Sequence, residues 1–135
     1  MKYSDKLIDE IIIALDNADY EIRYYFNKED KAVKFFAEFD DDEFRDEEYD
    51  LDLSKWIEID GIASYTKFNL MENFGSNQNE NLRNRLYTAL HNKGPFRRFR
   101  DVLYRFPEEQ KQWYDFEHNW FKEKAIDFLD LIYDN

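Results

Sequence analysis

The stretch Tyr20-Glu21-Ile22-Arg23-Tyr24-Tyr25-Phe26-Asn27-Lys28-Glu29-Asp30-Lys31-Ala32-Val33-Lys34-Phe35-Phe36-Ala37-Glu38-Phe39 decides the fold class. Tyr20, Ile22, Tyr24 and Phe26 alternate with Glu21, Arg23 and Tyr25. Val33, Phe35, Ala37 and Phe39 then alternate with Lys34, Phe36 and Glu38. Successive side chains of an extended chain point to opposite faces, so period two in aromatic and β-branched residues marks strands. The polar Asn27-Lys28-Glu29-Asp30 between them reads as a turn, which makes a hairpin over about residues 20–39. Trp56-Ile57-Glu58-Ile59, closed by Asp60-Gly61, reads as a third short strand over residues 55–59. Two strands alone are marginal in water, so other elements must cover them.

Outward from the hairpin the period changes to that of helices. Upstream, Leu7, Ile8, Ile11, Ile12 and Leu15 fall at helical spacing, with Ser4 as N-cap and Asp5 in the first turn. Ile13 lies off that stripe, which predicts cover on more than one side. Downstream, Ile62, Tyr65, Phe68, Leu70, Met71 and Phe74 read as a short helix over 62–74, and Gly75-Ser76-Asn77-Gln78-Asn79 reads as a break. Leu82, Leu86, Ala89 and Leu90 form the next stripe, opened by Asn79 or Asn81. Lys93-Gly94-Pro95 pairs a helix-ending glycine with a helix-starting proline. Phe96, Phe99, Val102, Leu103 and Phe106 then share one face, and Pro107 starts a last helix from about Glu108 to Tyr133. On that helix Tyr114, Phe121, Ala125, Phe128, Leu129 and Ile132 project within one arc, and Trp113, Phe116 and Trp120 within the next. The expected architecture is α+β: a small antiparallel sheet packed against an N-terminal helix and three C-terminal helices, in one domain over 1–135.

The chain has 135 residues, a usual size for one domain. Aromatics at 19% are too many for a disordered acidic chain. There are no cysteines, so disulfides, thiol catalysis and cysteine metal sites are excluded. No apolar run approaches the ~18 residues of a membrane helix. No basic-then-apolar leader opens the chain, which points to a soluble, cytoplasmic protein without membrane contact. Net charge is −12, unevenly spread. Residues 1–60 hold 20 acids and 8 bases, whereas residues 83–105 hold 7 bases and the single acid Asp101. A wholly basic nucleic-acid binder is excluded, and direct nucleic-acid binding is disfavoured by the −12.

Catalytic motifs are mostly absent, and a Ser–His arrangement could arise only by distant folding. Gly61, Gly75 and Gly94 are too far apart for a phosphate loop, and Ser4, Ser54, Ser64 and Ser76 sit in no nucleophile elbow. His91 and His118 make no zinc pair; His118 is expected to be a packed or capping residue. No cofactor is implied. The acidic run Asp40, Asp41, Asp42, Glu43, Asp46, Glu47, Glu48, Asp50 and Asp52 carries Phe44 and Tyr49 within it. It reads as a solvated surface, as oxygen ligands for a divalent cation in a small carboxylate- and metal-dependent enzyme, or as a mimic of a phosphate backbone that inhibits a basic protein. No glycine stands where a calcium loop needs its sharp turn.

The sharper feature is the basic aromatic helix over 96–105. Its rings and aliphatics point one way; at 100° per residue Arg97, Arg98 and Arg105 project on the other side with Asp101 among them. Arg100 and Tyr104 lie on one flank, and His91 and Lys93 just precede the helix. Arginine forks take carboxylates and phosphates alike. They either dock an anionic partner, another protein, or pair with the domain's own acids. The expected function is a non-catalytic binding or regulatory module, a monomer or a homodimer through Trp113, Trp120 and neighbours.

The stretch Leu90-His91-Asn92-Lys93-Gly94-Pro95-Phe96-Arg97-Arg98-Phe99-Arg100-Asp101-Val102-Leu103-Tyr104, then Trp113-Tyr114-Asp115-Phe116, Ala125-Ile126 and Phe128-Leu129, resembles the uncharacterised protein family UPF0158. Tyr24-Tyr25 in a strand and Met71-Glu72-Asn73-Phe74 fit the same order of elements. Pro95 stands where the family usually has a small residue, and the acidic middle is short. The resemblance implies a bacterial or phage-borne cytoplasmic protein and supplies no reaction.

Overall fold

Residues 2–37 and 47–134 are described by a computed structural model. The chain runs α1 (Asp5–Asn17), β1 (Ile22–Asn27), β2 (Ala32–Ala37), β3 (Trp56–Ile59), α2 (Ser64–Ser76), α3 (Glu80–Leu90), α4 (Pro95–Leu103) and α5 (Pro107–Tyr133). Residues 47–49 are also helical. The architecture is α+β, as the alternation of the hairpin and the helical stripes predicts. It divides into two compact units, Met1–Ile62 with Phe121–Asn135, and Ala63–Trp120.

The first unit holds the sheet, in the order β2-β1-β3 with both pairings antiparallel. Tyr24 stands opposite Phe35 on one side and Ile59 on the other. The hairpin turn is closed by Asn27, whose Oδ1 accepts from the Glu29 and Asp30 amides at 2.9 and 3.0 Å. Lys31 completes the turn in the left-handed region at φ 52°. Fully buried Phe26 meets Phe128 and Tyr133 of α5 edge-on. Tyr25 points to the opposite face and meets Phe36 there.

Ser4 caps α1 by accepting from the Leu7 amide at 3.1 Å. Leu7, Ile8, Ile11, Ala14 and Leu15 are buried, but Ile13 is 54% exposed, so α1 is covered on one stripe only. The turn after β3 approaches α1 closely: Ile62 N–H donates to Leu15 O at 2.8 Å. A Cβ at Gly61 would come to 1.9 Å from Ala18 O, which only glycine avoids.

The second unit packs α2, α3, α4 and the first part of α5 around Trp113. Its indole meets Phe99 and Phe74 edge-on at centroid distances of 5.0 and 5.4 Å. Leu82, Leu86, Leu103 and Phe99 are fully buried beside it. Each such side chain stabilises the unit by about 1.5–3 kcal/mol on leaving water. The expected break over Gly75 to Asn79 is present but begins two residues later, at Asn77. Helix α2 runs through Gly75 and Ser76, and Gly75 is buried where a Cβ would lie 3.4 Å from Leu86 Cβ. That glycine lies inside the helix against Leu86, where a methyl would be in ordinary contact; it does not end the helix. Asn79 Oδ1 then caps α3 by accepting from Leu82 N–H at 3.0 Å. Gly94 holds φ 61° and Pro95 starts α4, the conformations these residues favour. On α5 Trp113 is buried, whereas Tyr114 and His118 are exposed, so the apolar face is narrower than the ring content implies.

Candidate functional site

The basic helix α4 packs Phe99 and Leu103 into the second unit's core. Its hydrophobic side therefore fixes which way the arginines stand. Arg97, Arg98, Arg100 and Arg105 are all exposed. The one carboxylate within 4.0 Å of any of them, among the described residues, is Asp101. Arg97 Nε lies 3.9 Å from Asp101 Oδ2, with the two side chains 86% and 71% exposed. Such an i,i+4 surface pair contributes only about 0.3–0.5 kcal/mol. Arg98 Nε donates to Lys93 O at 2.5 Å, which ties the start of α4 to the preceding loop. Arg97 and Arg98 stand in the first turn of α4, where the helix dipole is already positive. They raise the positive potential there and do not stabilise the helix.

The four arginines do not form one cluster. Arg98 and Arg105 face a groove of about 530 Å³ between α3 and α4, together with Asp101. Arg97 and Arg100 lie outside it. The facing wall comes from α3 and the turn just beyond it: Asn81, Asn84, Arg85, Thr88 and Asn92. Sequence reasoning missed this wall. Its signal was present, because those residues recur at helical spacing opposite the apolar stripe Leu82, Leu86, Ala89 and Leu90. Arg85 Nε donates to Asn81 Oδ1 at 3.2 Å, which leaves its terminal N–H groups for the groove.

His91 and Lys93 have other places. The His91 ring stacks on Tyr87 at 4.1 Å, its Nδ1 lies 2.8 Å from Tyr87 O, and it meets Phe68 edge-on. It closes the end of α3 and lines a smaller cleft with Glu72, Ser76 and Arg83. Lys93 is exposed and contributes its carbonyl to Arg98.

Of the acidic run, Asp40, Asp41, Asp42, Glu43 and Asp46 lie outside the described residues. Glu47 is exposed. Glu48 is bound on the sheet: Arg23 Nε and Nη2 each donate to it at 2.6 Å, and Tyr25 O–H donates at 2.8 Å. The Arg23 fork holds the Glu48 carboxyl below the usual carboxylate range, and the Tyr25 hydroxyl adds to this. Burial, then the carboxylate beside it, pushes the Tyr25 phenol up to about 12. Asp52 accepts from Ser54 Oγ at 2.6 Å and Ser54 N at 3.0 Å, which lowers its pKa. Among the described residues no three His, Asp or Glu side chains converge to hold a metal ion.

The model of the uncharacterised protein family UPF0158 matches residues 3–132, and the chain belongs to that family. No curated protein and no solved structure matches it. Among the described residues no helix is long and apolar enough to cross a membrane.

Proposed function

We propose that this UPF0158 protein is a non-catalytic binding module that docks an acidic surface of another protein through α4 and its flank. The observation that carries this reading is the state of the arginines. Arg97 meets one exposed aspartate at 3.9 Å, and Arg98, Arg100 and Arg105 meet no carboxylate among the described residues. Guanidinium groups with no close carboxylate among the described residues, on or just beyond a helix whose other face is core, are available for a carboxylate fork. Exposed Tyr104 adds a ring beside Arg100 on the same flank.

The experiment is affinity capture by wild type and by Arg97→Glu/Arg100→Glu, at low and high salt. Neither arginine touches the core or the Lys93 carbonyl, so the double variant keeps the fold. The expected result is that a partner held by wild type is lost by the variant and eluted by salt. A folded double variant that retains every partner contradicts the proposal.

A further inference from the structure

We infer that the α3–α4 groove binds an extended acidic peptide by its main chain, with the α3 amides taking peptide N–H and C=O groups and the arginines taking its carboxylates. This deepens the docking reading and rests on it for the sign of the ligand's charge. The argument for an extended chain comes from the α3 wall. Asn81, Asn84, Thr88 and Asn92 succeed one another at spacings of three, four and four residues. Four residues of helix advance ~6 Å, and two residues of extended chain advance ~6.6 Å. Polar side chains on this wall thus repeat at nearly the pitch of same-side main-chain groups of a strand. From Asn81 to Asn92 the wall runs ~16 Å, the length of about five extended residues.

The hydrogen-bonding state of the wall fits a ligand that both donates and accepts. Asn92 Nδ2 donates to Thr88 O at 2.6 Å, which leaves its Oδ1 as an acceptor. Asn81 gives its Oδ1 to Arg85, which leaves its Nδ2 as a donor. The Asn84 amide and the Thr88 hydroxyl have no partner among the described residues. A ligand of phosphates alone offers only acceptors and would leave the acceptors unused. Asp101 stands in the same groove, where a main-chain N–H of a peptide can donate to its carboxylate and a phosphate cannot. Arg85, Arg98 and Arg105 supply three forks, and Val102 offers an apolar contact for a methylene stem.

The test titrates the full chain into fluorescein-labelled pentaglutamate with a capped C-terminus, at low salt, and reads anisotropy. A second probe carries the same carboxylates on an N-methylated main chain; a third is a single-stranded DNA pentamer. The expected result is saturable binding of pentaglutamate, about three- to tenfold weaker for Asn84→Leu/Thr88→Val, and similarly weaker for the N-methylated probe. Both replaced residues are exposed, and circular dichroism checks that the double variant stays folded. Equal binding of the N-methylated probe, or by the Asn84→Leu/Thr88→Val chain, overturns the main-chain inference and leaves anionic docking standing. No binding of pentaglutamate overturns both. Tighter binding of the DNA pentamer overturns the peptide as the occupant.

Discussion

Glu48 accepts from Arg23 twice and from Tyr25 once, on a half-buried face of the sheet. Its carboxyl is held below its ordinary value, so the unfolded chain binds the proton more readily than the folded one. The stability this contributes is complete above the unfolded value of about 4.3 and is lost as pH falls through the lower folded value. Glu48→Gln is expected to lower stability by about 1–2 kcal/mol at pH 7, with the difference shrinking on acidification. Chemical denaturation of both chains from pH 7 to pH 3 checks this; a pH-independent difference would contradict it. Two glycines make a sharper contrast. Gly61→Ala drives a methyl into Ala18 O and is expected to cost about 3 kcal/mol or more. Gly75→Ala meets Leu86 at ordinary contact and loses less unfolded-state freedom, so it should stay within about 1 kcal/mol of wild type. Thermal melts of the two variants test the pair. Neither role was legible in the chain, because both depend on a neighbour distant in sequence: Ala18 for Gly61, Leu86 for Gly75.

At the scale of elements, Trp113 is the side chain around which the second unit closes. Trp113→Ala is expected to cost about 3–5 kcal/mol through the lost ring and the cavity it leaves. A lowered denaturant midpoint measures it, and an unchanged midpoint would contradict it. Helix α4 obeys a different rule, since its arginines contribute little to the fold. Arg97→Glu/Arg100→Glu should leave the melting temperature within about 2 °C of wild type. The elements themselves were largely legible. The alternation from Tyr20 to Phe39 announced β1 and β2, Trp56 to Ile59 announced β3, and the stripes at Leu7, Leu82 and Phe99 announced their helices. The break after α2 starts at Asn77, two residues beyond Gly75, because a glycine within the last turn and one that ends a helix look alike in sequence. For the site, the basic helix was legible from charge and period alone. The α3 wall was passed over because asparagines on a polar face carry no charge signal, and their meaning depends on what α4 places opposite.

Over the whole chain, the division into units separates charge as well as structure. Ala63–Trp120 holds 9 bases and 7 acids, net +2, whereas the remaining residues hold 10 bases and 24 acids, net −14. The overall −12 is therefore not the charge that α4 presents to a ligand. Charge of one sign gathered on part of a protein surface steers an oppositely charged partner in general, and such steering falls steeply with ionic strength. The most direct measurement is the dissociation constant of the full chain for labelled pentaglutamate across a salt series, compared with Arg85→Glu/Arg105→Glu, two arginines that line the groove. The account predicts binding that weakens as salt rises and that the folded variant weakens at least tenfold at low salt. Equal affinity in the two chains, or affinity indifferent to salt, would contradict a docking surface made of arginines.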